Sequence, residues 1–175
     1  MKRLFVSVCL IGSLAACTSR QTSDATSTDS ASTGTVPTET PVAATLSPTL
    51  TNLGLTSNHD WRQVNLGDDF AAAKATETSA PFEQDAEHVG YSQEFDNLES
   101  VDHQYFQSGN KVSSIQVDFY LNSAAAVKTY QQELTTYLTA RYGAPVTGTS
   151  WKNGSVTLKD VSKGKDFGLK LVIKG

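Results

Sequence analysis

The distribution of aromatic residues sets the bounds of any fold this chain can form. Of its 15 aromatics, 14 lie between Trp61 and Phe167. Ahead of them, residues 18–57 hold 19 Ser or Thr in 40 positions, with three Pro, no aromatic and only four charges (Arg20, Asp24, Asp29, Glu39). Such a stretch buries too little apolar surface to offset the entropy of ordering it. The sequence therefore predicts a disordered Ser/Thr-rich tether up to residue 57 and one folded domain over residues 58–175. That domain is long enough to enclose a core of its own. A flexible tether of this length spans roughly 35 Å in root-mean-square terms. Its composition also fits an O-glycosylated stalk, although a plain spacer is the simpler reading.

The first residues form a separate block. Lys2 and Arg3 precede an uncharged apolar run from Leu4 to Ala16, which closes on Leu14-Ala15-Ala16-Cys17. This has the form of a secretory signal over residues 1–16 and is too short for a permanent membrane span. The Leu14–Cys17 segment resembles the lipobox of bacterial lipoproteins. That resemblance implies cleavage before Cys17 and acylation of its sulfur and new α-amine, with palmitate among the chains. The expected partner is then a lipid bilayer, held through Cys17. Thr18 is not the aspartate that retains such proteins at the inner membrane. In a Gram-negative cell the resemblance thus implies the outer membrane, with the domain facing the periplasm.

The only other cysteine, Cys9, lies inside the signal. The folded domain therefore has neither disulfides nor a thiol for catalysis or metal binding. The net charge of −4 conceals an asymmetry. From Asp60 to Asp102 there are eleven acids against Arg62 and Lys74, and from His103 onward nine Lys or Arg against four acids. The simplest outcome is mutual neutralisation across one sheet. No segment has the basic density of a nucleic-acid binder.

Hydrophobic spacing predicts an α+β fold. Trp61–Leu66 reads as an extended lead-in, followed by a short helix capped by Asp68. Strands follow over 88–95 and 101–107, and over 111–121, where Ile115, Val117, Phe119 and Leu121 share a face opposite Gln116, Asp118 and Tyr120. Val127, Tyr130, Leu134, Tyr137 and Leu138 then mark a long helix over 122–142, stopped by Gly143 and Pro145. Trp151, an Asn153-Gly154 turn, Val156 and Leu158 suggest a hairpin, and Phe167–Ile173 a last strand. The expectation is an antiparallel sheet of five to six strands, with one short and one long helix on one face and water on the other.

The Leu66-Gly67 pair opening a short helix, on a small tethered lipoprotein, resembles the start of the small outer-membrane lipoproteins that accompany β-barrel assembly. Their inhibitor-like relatives share a helix-plus-sheet unit. The resemblance covers a few residues plus the architecture. Those proteins place their helices ahead of their strands, whereas here a long helix falls between strand groups, and no functional residue is carried across.

No catalytic residue emerges. There is no G-x-S-x-G elbow, phosphate loop, GxGxxG fingerprint or HExxH helix, and no cofactor is implied. His59 is expected at the exposed end of the tether. His88 and His103, on neighbouring strands, are surface residues by default. Facing each other beside Glu87, Glu94 or Asp102, they would offer a zinc site or a hydrolytic centre. Glu83, Asp85, Glu87, Glu94, Asp96, Glu99 and Asp102 read as a solvated acidic face. Exposed strand aromatics can bind partners, and Tyr120 and Trp151 are the candidate binding residues. Three readings result: a non-enzymatic domain that binds an envelope protein or polymer, an envelope-directed hydrolase using carboxylates or His88/His103, and a structural spacer.

Overall fold

The computed structural model describes residues 46–175. The signal, Cys17 and the tether as far as residue 45 lie outside the described residues. In chain order the elements are α1 (Pro48–Asn52), α2 (Phe70–Ala75), β1 (Glu83–Gln84), β2 (His88–Glu94), β3 (Ser100–Ser108), β4 (Lys111–Leu121), α3 (Ala124–Tyr142), β5 (Ser150–Trp151), β6 (Val156–Asp160) and β7 (Phe167–Lys174). The strands form one antiparallel sheet in the order β1-β2-β3-β4-β7-β6-β5. The expected α+β class is thus the observed one. The expected hairpin around Asn153-Gly154 is present as β5 and β6, and the seventh strand is the two-residue β1 at the opposite edge. Strands that short leave no alternation to read.

β4 organises the sheet. The β3–β4 hairpin turns at Gly109 and Asn110, both at positive φ (58° and 62°), as a tight hairpin twisted like its strands requires. β4 pairs with β3 on one side and β7 on the other. Ile115, Val117, Phe119 and Leu121 are buried as expected, and Val112 joins them. Residues 112 and 115 differ in parity. They share a face because the β3–β4 register shifts between Phe106 and Gln107, a bulge that resets the alternation.

The α3 crossover carries the chain from β4 to the far edge. Ser123 caps α3 by accepting a hydrogen bond from the Ala126 amide at 3.2 Å, and Gly143 ends it at φ 84°. Val127, Tyr130, Leu134, Tyr137 and Leu138 are buried in one core with the inward residues of β2, β3, β4, β6 and β7. Asp69, rather than Asp68, caps α2, accepting from the amides of Ala71 and Ala72. Asp68 accepts instead from the Asn65 amide at 2.7 Å. The expected extended lead-in is a tight turn, in which Trp61 and Val64 bridge each other and Arg62 stands at φ 54°.

The domain also begins earlier than its composition suggests. Leu50, Leu53 and Leu55, assigned to the tether, are at most 4 % exposed and belong to the core. Ser47 caps α1 and donates to Glu133 of α3 at 2.6 Å, with Thr49 donating to the same carboxylate at 3.3 Å. The Gln93 side chain donates to the Asn52 carbonyl at 2.9 Å. Three closely spaced leucines thus outweigh a polar average taken over 40 residues. Leu53→Ala is expected to lower stability by about 2–5 kcal/mol, a core-sized loss. Urea unfolding of the intact protein measures it, and a loss below about 0.5 kcal/mol, the range of surface substitutions, would contradict the placement.

Candidate binding surface

Strand alternation gives the sheet two chemically distinct faces. On the face away from the helices, the pairing register aligns residues into rows that cross β3, β4, β7 and β6. One row reads Asp102, Asp118, Lys170, Lys159. The next reads Gln104, Gln116, Val172, Thr157. A third places Ser100, Tyr120 and Gly168 in line, with Val161 bonded through its amide to the Gly168 carbonyl. Tyr120 is 53 % exposed and Val161 50 %.

The charges of this face are divided by the β4–β7 seam. Asp118 and Lys170 pair across it at 3.0 Å. Gln116 fixes the same carboxylate, donating to Asp118 at 2.9 Å and to Gln104 at 3.2 Å. Among the described residues, Asp102 and Lys159 have no ion-pair partner. Acidic and basic halves of the sequence therefore meet on one sheet and neutralise each other at its centre, while the outer charges stay free. Burial first, then the charges of Asp102 and Asp118, raise the pKa of the Tyr120 phenol above its ordinary value. It remains a neutral hydroxyl on an apolar ring, suited to contact with a partner.

The other candidate residues are placed differently. Trp151 is fully buried, and its indole nitrogen reaches the Thr139 hydroxyl at 3.3 Å. It anchors β5 against α3, and its ring offers no surface to a partner, contrary to expectation. Strand parity turns its ring inward, where a lone aromatic before a turn gave no sign of direction. His88 and His103 do not face each other: His88 lies opposite Phe106, and His103 opposite Tyr91. His88 stacks on Phe106 at 5.2 Å on the open face and contacts Asp85 at 2.9 Å and Glu83 at 3.4 Å. Burial pushes its pKa down, but the Glu83 and Asp85 carboxylates outweigh this and raise it overall. His103 is buried on the helix side and 1 % exposed. The sheet therefore separates the expected zinc or hydrolytic pair. Among the described residues, no group of three metal-ligating side chains comes together. His59 is half-buried rather than exposed, with Nδ1 at 2.6 Å from the Thr56 hydroxyl. Glu99 leaves the acidic surface to lie buried beneath the β2–β3 turn, where the Asn97 side chain donates to it at 2.9 Å.

Two buried carboxylates fasten the irregular segments to the helix side of the sheet. Glu77, which follows α2, accepts from Tyr105 Oη at 2.6 Å and Arg62 at 3.0 Å, and lies 3.1 Å from His103 Nε2. Asp60 accepts from Arg141 at 2.8 Å, Tyr142 Oη at 2.7 Å and the Leu66 amide at 2.9 Å. Asp60 also borders an open cleft of about 670 Å³, together with Asn58, Asn65 and Lys152. A buried carboxylate is tolerated only when its oxygens are satisfied in this way. Sequence reasoning missed both groups because their partners lie on other elements.

Burial pushes the pKa of Asp60 up, but the Leu66 amide, Tyr142 and Arg141 pull it below its ordinary 3.8. For Glu77 the opposing pull, down from 4.5, comes from His103, Tyr105 and Arg62. Depressed folded-state values stabilise the fold above the unfolded-state values, and this contribution is lost as pH falls through the folded ones. Glu77→Gln is therefore expected to be less stable at neutral pH by about 1–3 kcal/mol. Its stability should also fall less steeply than that of the parent below about pH 4.5. Urea midpoints across pH check both, and parallel pH profiles would contradict the role given to Glu77.

No family model, no curated protein and no solved structure matches the chain.

Proposed function

We propose that the chain is a lipoprotein anchored through acylated Cys17, whose domain works as a non-enzymatic binding module of the cell envelope. In a Gram-negative cell it sits on the outer membrane facing the periplasm. The observation that carries the binding role is the open sheet face, with Tyr120 half-exposed between free charges of opposite sign. An antiparallel sheet covered on one side leaves such a face to water or to a partner. The buried carboxylates of Asp60 and Glu77 are committed to structural hydrogen bonds, and His88 and His103 are separated by the sheet. Both observations favour binding over hydrolysis.

The anchor and the surface are tested separately. Cys17→Ser should move the protein out of the membrane fraction, and retention there would refute the anchor. A photo-cross-linking residue at Tyr120 should capture a reproducible partner in cells, whereas one at Thr136, exposed on α3, should not. Equal capture from both sites, or from neither, would refute the sheet face as the binding surface. Replacing the exposed Tyr120 should change stability by no more than about 0.5 kcal/mol, so the cross-linker at that position samples the folded domain.

A further inference from the structure

We infer that the open sheet face binds a second copy of this chain, face to face, about a two-fold axis lying along the β4–β7 seam. This rests on the reading of that face as the binding surface and names its occupant.

The argument is self-complementarity. The row Asp102, Asp118, Lys170, Lys159 runs minus, minus, plus, plus, with the change of sign at the seam. Rotation about an axis parallel to the strands at that seam exchanges β4 with β7 and β3 with β6. Asp102 then faces the Lys159 of the other copy, and Asp118 faces its Lys170. The two charges of this row that have no ion-pair partner among the described residues of the domain find each other. An isologous interface requires this pattern, in which a residue and its counterpart exchange roles. Any partner of uniform charge would meet repulsion from one half of the row.

The other rows obey the same operation. Gln116 meets Val172, and Gln104 meets Thr157. Tyr120 falls over Gly168, beside Val161. Gly168 is fixed by its own fold, because a Cβ there would lie 2.7 Å from the Phe119 carbonyl oxygen. Gly168 is itself buried, with Val161 Cγ2 3.5 Å from where that Cβ would stand, so the surface the Tyr120 ring meets there is the exposed Val161. Packed sheets lie about 10 Å apart, a gap that an extended lysine and an aspartate bridge together. Sheet twist turns the two strand sets by roughly 30°, so the match is closest at the axis, where Asp118, Lys170 and Tyr120 stand.

Four strands at about 4.8 Å spacing and eight residues at about 3.3 Å rise give roughly 500 Å² per copy. That is the low end for a specific interface. The association is accordingly weak in dilute solution, salt-sensitive, and favoured when two anchored copies share a membrane.

The test uses two single variants that break no ion pair within the domain. In Asp102→Lys, each introduced lysine faces the native Lys159 of its twin. In Lys159→Glu, each introduced glutamate faces the native Asp102. A mixture of the two variants sets lysine against glutamate at one contact and keeps Asp102 against Lys159 at the other, so both contacts again join opposite charges. Sedimentation of the intact lipoprotein in detergent at low salt should show a dimer for the parent, at least about tenfold weaker self-association for each variant, and a heterodimer near parental strength for the mixture. Circular dichroism confirms that both variants fold. A parent that stays monomeric at every concentration, or variants that dimerise like the parent, would overturn the inference. The proposal of a binding face fails separately, through cross-linking at Tyr120: capture there of a different protein, with a monomeric parent, would leave the face in use and reject the second copy.

Discussion

The alternation along β4 is the constraint on which the rest of the structure depends. This strand pairs with a neighbour on both edges, so its side chains can only point to one face or the other. Val112, Ile115, Val117, Phe119 and Leu121 commit one face to the core. Ser114, Gln116, Asp118 and Tyr120 are thereby committed to the opposite face. A slip of one residue would exchange the two sets. Register is held by the tight Gly109-Asn110 turn and by the bulge beside Phe106. The chemistry of the open face thus follows from the packing of the closed one.

On the closed face, apolar burial and carboxylate hydrogen bonds have different roles. The leucine, valine and aromatic cluster supplies the driving force for folding. It does not by itself fix where the irregular segments lie. That role falls to Asp60, Glu77 and Glu133, which tie the residue 60–66 turn, the end of α2 and the cap of α1 to the sheet and to α3. Each carboxylate accepts donors from distant parts of the sequence. Removing the carboxylate of Asp60 or Glu77 leaves several donors unpaired, which costs more than a lost surface contact. These groups explain how a domain with short helices at its beginning holds together without a disulfide.

Much of the architecture is legible in the sequence. β4 and β7 announce themselves by alternation over residues 115–121 and 167–171, and α3 by helical spacing, a cap and a terminating glycine. The β1 edge is not legible, because a two-residue strand carries no period, whereas the Asn153-Gly154 turn betrays β5 at the other edge. The first turn of the domain hides in a Ser/Thr-rich tract, where Leu50, Leu53 and Leu55 are too few to shift a composition average. The candidate site is half legible. Tyr120 stands out because its period-two neighbours are polar, and it is exposed. Trp151 has no such neighbours on a two-residue strand, and it is buried. The histidine pair fails for a related reason, since adjacent strands do not reveal their relative register until the turn between them is known. The charge row across β3, β4, β7 and β6 requires the β7 pairing, which brings together residues more than fifty positions apart.

The domain accordingly presents one sealed face and one open face, the one proposed to bind. Solvent accessibility of Tyr120 in its natural setting tests this most directly. Hydroxyl-radical footprinting of the full-length protein, in purified form at high dilution and in intact cells, should label Tyr120 strongly in the first case and weakly in the second. The buried Trp151 and Tyr105 should stay unlabelled in both. Equal labelling of Tyr120 in the two settings would show that the open face meets only water, and would contradict its assignment as the binding surface.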